Sequence, residues 1–136
     1  MIAFQHNLEF DSGPLGSTES VDPSLPRIRI IEATRPFEAH PAQASWYPMS
    51  GRQARFTTRD GSRDFRPDFE FGLEVEGVTE LRWLRVSSEI QFTRGPEFTR
   101  ELLQFWVLHT FLPAVLTLED RMEVIMRPAW ELADRP

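Results

Sequence analysis

The clearest periodic pattern in the chain runs from Phe69 to Glu76, where Phe69, Phe71, Leu73 and Val75 alternate with Glu70, Gly72, Glu74 and Glu76. A repeat of two predicts a strand with one apolar and one acidic face, ended by Gly77. Leu81 to Phe92 reads as the next strand. Leu81 and Trp83 share one parity there, while Val86, Ser88, Ile90 and Phe92 take the other, so a bulge near Leu84 is expected. Arg27 to Ala33 sets Ile28 and Ile30 opposite Arg27 and Arg29, which predicts a further strand. Arg55 to Arg59 predicts another, with Asp60, Gly61, Ser62 and Arg63 as a hairpin-type turn and a new strand from about Phe65.

Helical periodicity begins only near the end of the chain. Gly95, Pro96 and Glu97 read as a helix start, because proline suits the first helical position and an acid there complements the dipole. Phe98, Leu102, Phe105, His109 and Leu112 then recur at three and four residues, so the helix is expected to reach about Phe111, with Pro113 stopping or kinking it. Ala114–Leu118 and Met122–Met126 are expected as short strands joined at Glu119 and Asp120, a continued helix being the rival. Leu102–Leu118 has no formal charge and would measure about 26 Å as a helix, but it contains Gln104, His109, Thr110 and Pro113, no Lys or Arg cluster marks one end, and Glu119 and Asp120 follow directly. A core element is therefore expected rather than a membrane span.

Ile2, Phe4, Leu8 and Phe10 occupy even positions around His6, a strand pattern, and the Ser, Gly, Pro and Thr residues of Asp11 to Pro26 follow. Residues 1–26 are expected to form an extended N-terminal arm whose strand adds to its own sheet or to a neighbour's edge. Residues 34–51 carry Pro36, Pro41 and Pro48 with His40, Trp46, Tyr47 and Gly51 between them, an irregular loop that lays aromatic rings on a surface. The expected fold is α+β: an antiparallel sheet of about five to seven strands, packed by one helix near residues 96–111. Residues 27–136 form one domain in this reading.

Composition narrows the chemistry. The 136 residues are enough for one domain with a real core, and the absence of cysteine removes disulfides, thiolate nucleophiles and cysteine metal sites. A net charge of −6 argues against general binding to nucleic-acid phosphates. Lysine is absent beside 15 arginines, which tracks a GC-rich genome; phenylalanine, with T-rich codons, still occurs 11 times, so its rings serve packing or contact. The N-terminus shows no secretory pattern, so a cytoplasmic setting is expected, or a virion if the gene belongs to a phage.

The candidate site residues fall into a few groups. Arg52, Arg55, Arg59, Arg63 and Arg66 are spaced by three or four in the only basic region, a potential anion or partner patch, although Asp60–Ser62 would break a helix there and scatter them over two faces. Glu70, Glu74 and Glu76 share one strand face, as paired hydrolytic or metal-binding carboxylates would, and as the wet face of any half-exposed sheet also would. His6, His40 and His109 lie far apart and make no metal motif. No catalytic, metal or cofactor residue is assigned. The glycines form no phosphate loop or dinucleotide fingerprint, and no serine sits in a nucleophile elbow.

These features favour a non-enzymatic structural or assembly subunit of a multi-protein complex, such as a phage virion accessory protein. It would bind protein partners and be oligomeric, docking through Phe4, Leu8 and Phe10 of the arm and Trp46 and Tyr47 of the loop. One alternative is a ligand-binding domain or enzyme with a pocket between sheet and helix around His109. Another is an acidic immunity or antitoxin-like binder that masks a basic partner.

Overall fold

The computed structural model describes residues 1–10, 22–35, 37, 40–41, 45–58 and 71–126, with the backbone alone for residues 40 and 121–126. It is an α+β fold. Among the described residues nine strands, more than the five to seven expected, form one open sheet: β1 (Ile2–Ala3), β2 (His6–Phe10), β3 (Arg27–Glu32), β4 (His40–Pro41), β5 (Tyr47–Met49), β6 (Arg52–Thr58), β7 (Phe71–Val75), β8 (Thr79–Leu84) and β9 (Glu89–Phe92). Their order is β1-β2-β3-β9-β8-β7-β6-β4, with β5 also paired to β6.

The sheet is mixed, not antiparallel as the alternation suggested. β3 lies parallel to both β2 and β9, with Leu8 beside Ile28 and Ile30 beside Ile90, while the other pairs are antiparallel. Strand direction is set by long-range crossovers, which local alternation does not encode. The change of parity in Leu81–Phe92 is a chain reversal rather than a bulge. β8 and β9 are separate antiparallel strands, and Ser88 has φ 54° in the turn between them. The expected turn at Asp60–Ser62, the strand start near Phe65, and Phe69 and Glu70 lie outside the described residues.

The first ten residues belong to this chain's own sheet. β2 pairs along β3, and Leu8 donates to the Met1 carbonyl at 2.7 Å. Asn7 is the clasp to the returning chain: its side-chain oxygen accepts from the Asp22 amide at 2.9 Å, and its Nδ2 donates to the Asp22 carbonyl at 2.6 Å. A buried Asn with both amide ends satisfied fixes the return of the chain at little desolvation cost.

The helical region starts and ends later than expected. Pro96 and Glu97 belong to a turn held on the β7–β8 hairpin, where Gly95 and Glu97 each donate at 2.8 Å to the Val78 and Gly77 carbonyls. The N-cap is Thr99, whose hydroxyl accepts from the Leu102 amide at 3.1 Å, and α1 spans Arg100–Trp106. A π-helical turn, Val107–Phe111, leads into α2, Leu112–Met126. The two strands expected after Pro113 are therefore this helix. Leu112 donates to the Val107 carbonyl, five residues back, and the wider turn makes room for the Pro113 ring, which cannot donate to the ladder.

One sheet face and one helix stripe make the core. Ile28, Ile30, Leu73, Leu81, Ile90 and Phe92 meet Leu103, Trp106, Val107, Phe111, Leu112 and Val115, all buried in one cluster. Phe71 stacks on Phe111 with centroids 5.5 Å apart, and Trp83 donates to Glu119 at 3.0 Å. The stripe expected from periodicity is out of phase, since Phe105 and His109 face solvent. Trp106 is 1% exposed, and its indole N–H has no acceptor among the described residues. Arg100–Asp120 is long and apolar enough to cross a membrane by length and composition, and a third of its apolar window is buried inside the protein.

On the opposite face of the sheet, Gly72 sits between Thr57 and Arg82 in the register. An added Cβ there would strike the Thr57 hydroxyl and lie 2.5 Å from the Leu81 carbonyl. Gly72→Ala is therefore expected to destabilise the protein by about 1–3 kcal/mol, as overpacking does, although Ala is normally the better strand residue. A urea unfolding midpoint equal to or above that of the wild type would contradict this packing.

Candidate functional site

The face of the sheet turned away from the helix carries the polar residues of each strand. Register places Arg55 of β6, Glu74 of β7 and Glu80 of β8 in one cross-strand row, and Thr57, Gly72, Arg82 and Gln91 in the next. Arg55 Nε lies 3.3 Å from Glu74 Oε2, and its guanidinium stacks 4.0 Å from the centroid of the Trp46 ring. Arg82 donates to Gln91 at 2.7 Å and lies 4.5 Å from the Phe37 centroid. Trp46 and Phe37 therefore cover two arginines, each ring offering a π face to a planar cation.

Beside this row is a recess of about 290 Å³, lined by Trp46, Glu74, Glu76, Glu80, Thr93 and Arg94 among others. Its base is the β7–β8 hairpin, where Thr79 donates to the Thr93 carbonyl at 2.7 Å and Thr93 accepts from the Glu80 amide at 3.0 Å. Arg94 is engaged elsewhere, 2.8 Å from Glu32 and 5.3 Å from the Phe98 centroid. Burial raises the pKa of Glu80 above its ordinary value of 4.5, the facing charge of Glu74 raises it further, and Arg55 opposes both. One guanidinium serves two carboxylates here. Chemically, the recess can take a small cationic or hydrogen-bond-donating group. Among the described residues no three or more His, Asp or Glu side chains, these glutamates included, come together so as to hold a metal ion.

The large exposed apolar residues lie elsewhere. Ile2 and Phe4 are 43% and 51% exposed at the β1 edge of the sheet, and Tyr47 is 57% exposed at the β5 edge. Phe4 and Gln5 form the turn between β1 and β2 with φ 52° and 61°. Such a two-residue turn favours Asn-Gly; side chains with a Cβ pay about 1–3 kcal/mol each for this left-handed backbone. The His6 ring nitrogen Nδ1 lies 2.7 Å from the Phe4 carbonyl and donates to it, pinning the turn. Val86 is fully exposed in the β8–β9 turn.

The residues singled out in the sequence thus separate. Leu8 and Phe10, expected at an interface, are 2% and 8% exposed in this chain's own core. Phe4 and Tyr47 project outward at opposite ends of the sheet, and Trp46 lies against Arg55. Arg52 and Arg55 are on opposite faces of β6, Arg52 meeting Glu97 at 3.0 Å; Arg59, Arg63 and Arg66 lie outside the described residues. His109 stands on the outer side of the helix, 4.7 Å from the Phe105 ring centroid, not between helix and sheet. The acidic face is interrupted, since Glu9 and Glu89 flank Arg29 in the register and Glu74 is paired with Arg55. Sequence reading passed over Glu80 and Arg82, although Thr79–Leu84 alternates as regularly as the strand before it.

Comparison with protein-family models, curated proteins and solved structures finds no match to the chain.

The Glu80 shift has a definite sign. A carboxyl whose folded pKa is raised binds its proton more tightly in the folded state, so stability falls as pH rises from 4.5 through the raised value. Glu80→Gln removes that loss. The variant is expected to unfold at a higher urea concentration than the wild type at pH 7, with the gap narrowing toward pH 4. A gap that is constant with pH would mean that Glu80 titrates normally.

Proposed function

We propose that this protein is a non-enzymatic binding subunit of a multi-protein assembly, docking through aromatic side chains at the edges of its sheet. One observation carries this reading. Phe4, half exposed, is held on a left-handed turn that a bulky residue adopts only at a cost, and its ring is not part of the core cluster of the described residues. Strain kept at an exposed apolar position supports a contact made with something else, since such strain collects at ligand clamps and other sites of contact. Tyr47 supplies a second exposed aromatic at the far edge, and aromatic residues dominate the energetics of protein interfaces. A virion is one setting in which such a small subunit would work.

The recess beside Glu80 favours a second reading, a ligand-binding domain, with the ligand site on the open face of the sheet rather than around His109. Its carboxylates and the Trp46 wall suit a small cation.

Photo-crosslinking tests the first reading. A benzophenone amino acid placed at position 4 or 47, in cells of the source, is expected to give discrete adducts of defined mass, and the same group at the exposed helical position of Glu101 none. Identical adduct patterns from all three positions, or no adducts at 4 and 47, would remove it.

A further inference from the structure

Charge around the recess at the β7–β8 hairpin does not balance among the described residues. Arg55 gives Nε and Nη2 to the two oxygens of Glu74, at 3.3 and 3.5 Å, and Arg94 gives its Nε to Glu32 at 2.8 Å. Glu76 and Glu80 line the same recess, and neither carboxylate meets a cation in an ion pair among the described residues. The stretch that carries the Trp46 wall, residues 37–51, contains no lysine or arginine, so that side supplies no counter-charge. Glu80 is only partly exposed, and a carboxylate withdrawn from water without a partner costs more than one in open solvent.

Shape and lining select what restores the balance. A volume of about 290 Å³ lies at the lower end of small-molecule sites and admits a group of side-chain size. No three His, Asp or Glu side chains among the described residues gather to hold a metal ion. The wall is aromatic, and the Trp46 ring already stacks 4.0 Å from the Arg55 guanidinium, a contact that suits planar cations. Carboxylates accept N–H bonds, which ammonium and guanidinium ions donate and a quaternary ammonium does not.

Deepening the ligand-site reading above, on which it rests, we infer that the recess binds a small organic cation with N–H donors, an alkylguanidinium or primary alkylammonium, its donors on Glu76 and Glu80 and its chain against Trp46. Such a cation and a proton compete for Glu80. Glu74 of β7 faces Glu80 with like charge, Arg55 of β6 opposes it, and Glu76 in the hairpin turn and Arg94 beyond β9 complete the charged surroundings. A bound cation holds Glu80 ionised, so affinity falls as pH drops toward the raised pKa of that group.

The test titrates the full chain with butylguanidinium and follows the Trp46 indole N–H resonance, identified by its loss in Trp46→Phe. A saturable shift is expected, with the uncharged isostere butylurea bound about 10-fold more weakly or worse. Glu80→Gln, expected to fold at least as stably as the wild type, is expected to bind butylguanidinium about 10-fold more weakly at pH 7. It is also expected to lose most of the fall in affinity that the wild type shows between pH 7 and pH 5. N-acetylarginine methylamide separates the two sources of this chemistry: binding as tight as that of butylguanidinium assigns the recess to a partner's arginine side chain, and weaker binding assigns it to a free cation. Equal shifts from butylguanidinium and butylurea would keep a ligand site and overturn its selectivity for charge. Tighter binding of calcium than of butylguanidinium would overturn the choice of an organic cation, and unchanged affinity in Glu80→Gln would overturn the role of Glu80. No shift from any of these probes would remove the ligand-site reading itself.

Discussion

The architecture depends on a single constraint: a helix of two segments has to present one continuous apolar stripe to a sheet. Val115 is twelve positions beyond Leu103, and at about 100° per residue an unbroken α-helix would turn it about 120° away from Leu103. The π turn at Val107–Phe111 absorbs an extra residue and takes back about 100° of that drift. Leu103 and Trp106 before the turn, Val107 and Phe111 at its two ends, and Leu112 and Val115 after it consequently lie in the same buried cluster. The stacking of Phe111 on Phe71, at the centre of the sheet, is the visible product of that correction.

The same correction explains what sequence patterning could and could not reveal. Phe71, Leu73 and Val75 were legible as a strand because both faces of β7 obey one rule, apolar toward the helix and polar away from it. The helix stripe was misphased because Leu102, Phe105, His109 and Leu112 are spaced as one helical face, yet the face that meets the sheet already runs through Leu103 and Trp106 in α1. Leu81–Phe92 was legible as sheet, yet its change of parity has two physical origins, bulge or reversal, and only pairing separates them. The parallel seat of β3 was not legible, since it depends on β9, far along the chain. The candidate sites show the same limit. Glu74 could be read as an acid on a wet face, but its partnership with Arg55 and Trp46, and its pressure on Glu80, exist only through register.

The abundance of phenylalanine divides accordingly. Phe71, Phe92 and Phe111 are spent on the core, Phe37 shields Arg82, and Phe4 is left outside it. Among the described residues, Arg27, Arg52, Arg55, Arg85 and Arg94 each meet a glutamate, so charge there is arranged in neutral pairs. Exposed pairs of that kind add little stability, but they blunt non-specific attraction and leave recognition to shape and ring contacts.

The parallel seat of β3 also governs how the chain comes to be folded during synthesis. Arg29 leaves the ribosome 60 residues ahead of Glu89, its register partner on β9, and further still ahead of Val115 on the covering helix. At ordinary elongation rates that interval is on the order of 3–12 s, during which Ile28 and Ile30 lack the β9 partner and the helix that cover them in the folded chain. The apolar face of β3 is thus completed only by residues made after the first half of the chain. Slow codons or a stalled ribosome after β3 would penalise this protein through chaperone demand and aggregation rather than through any loss of native stability.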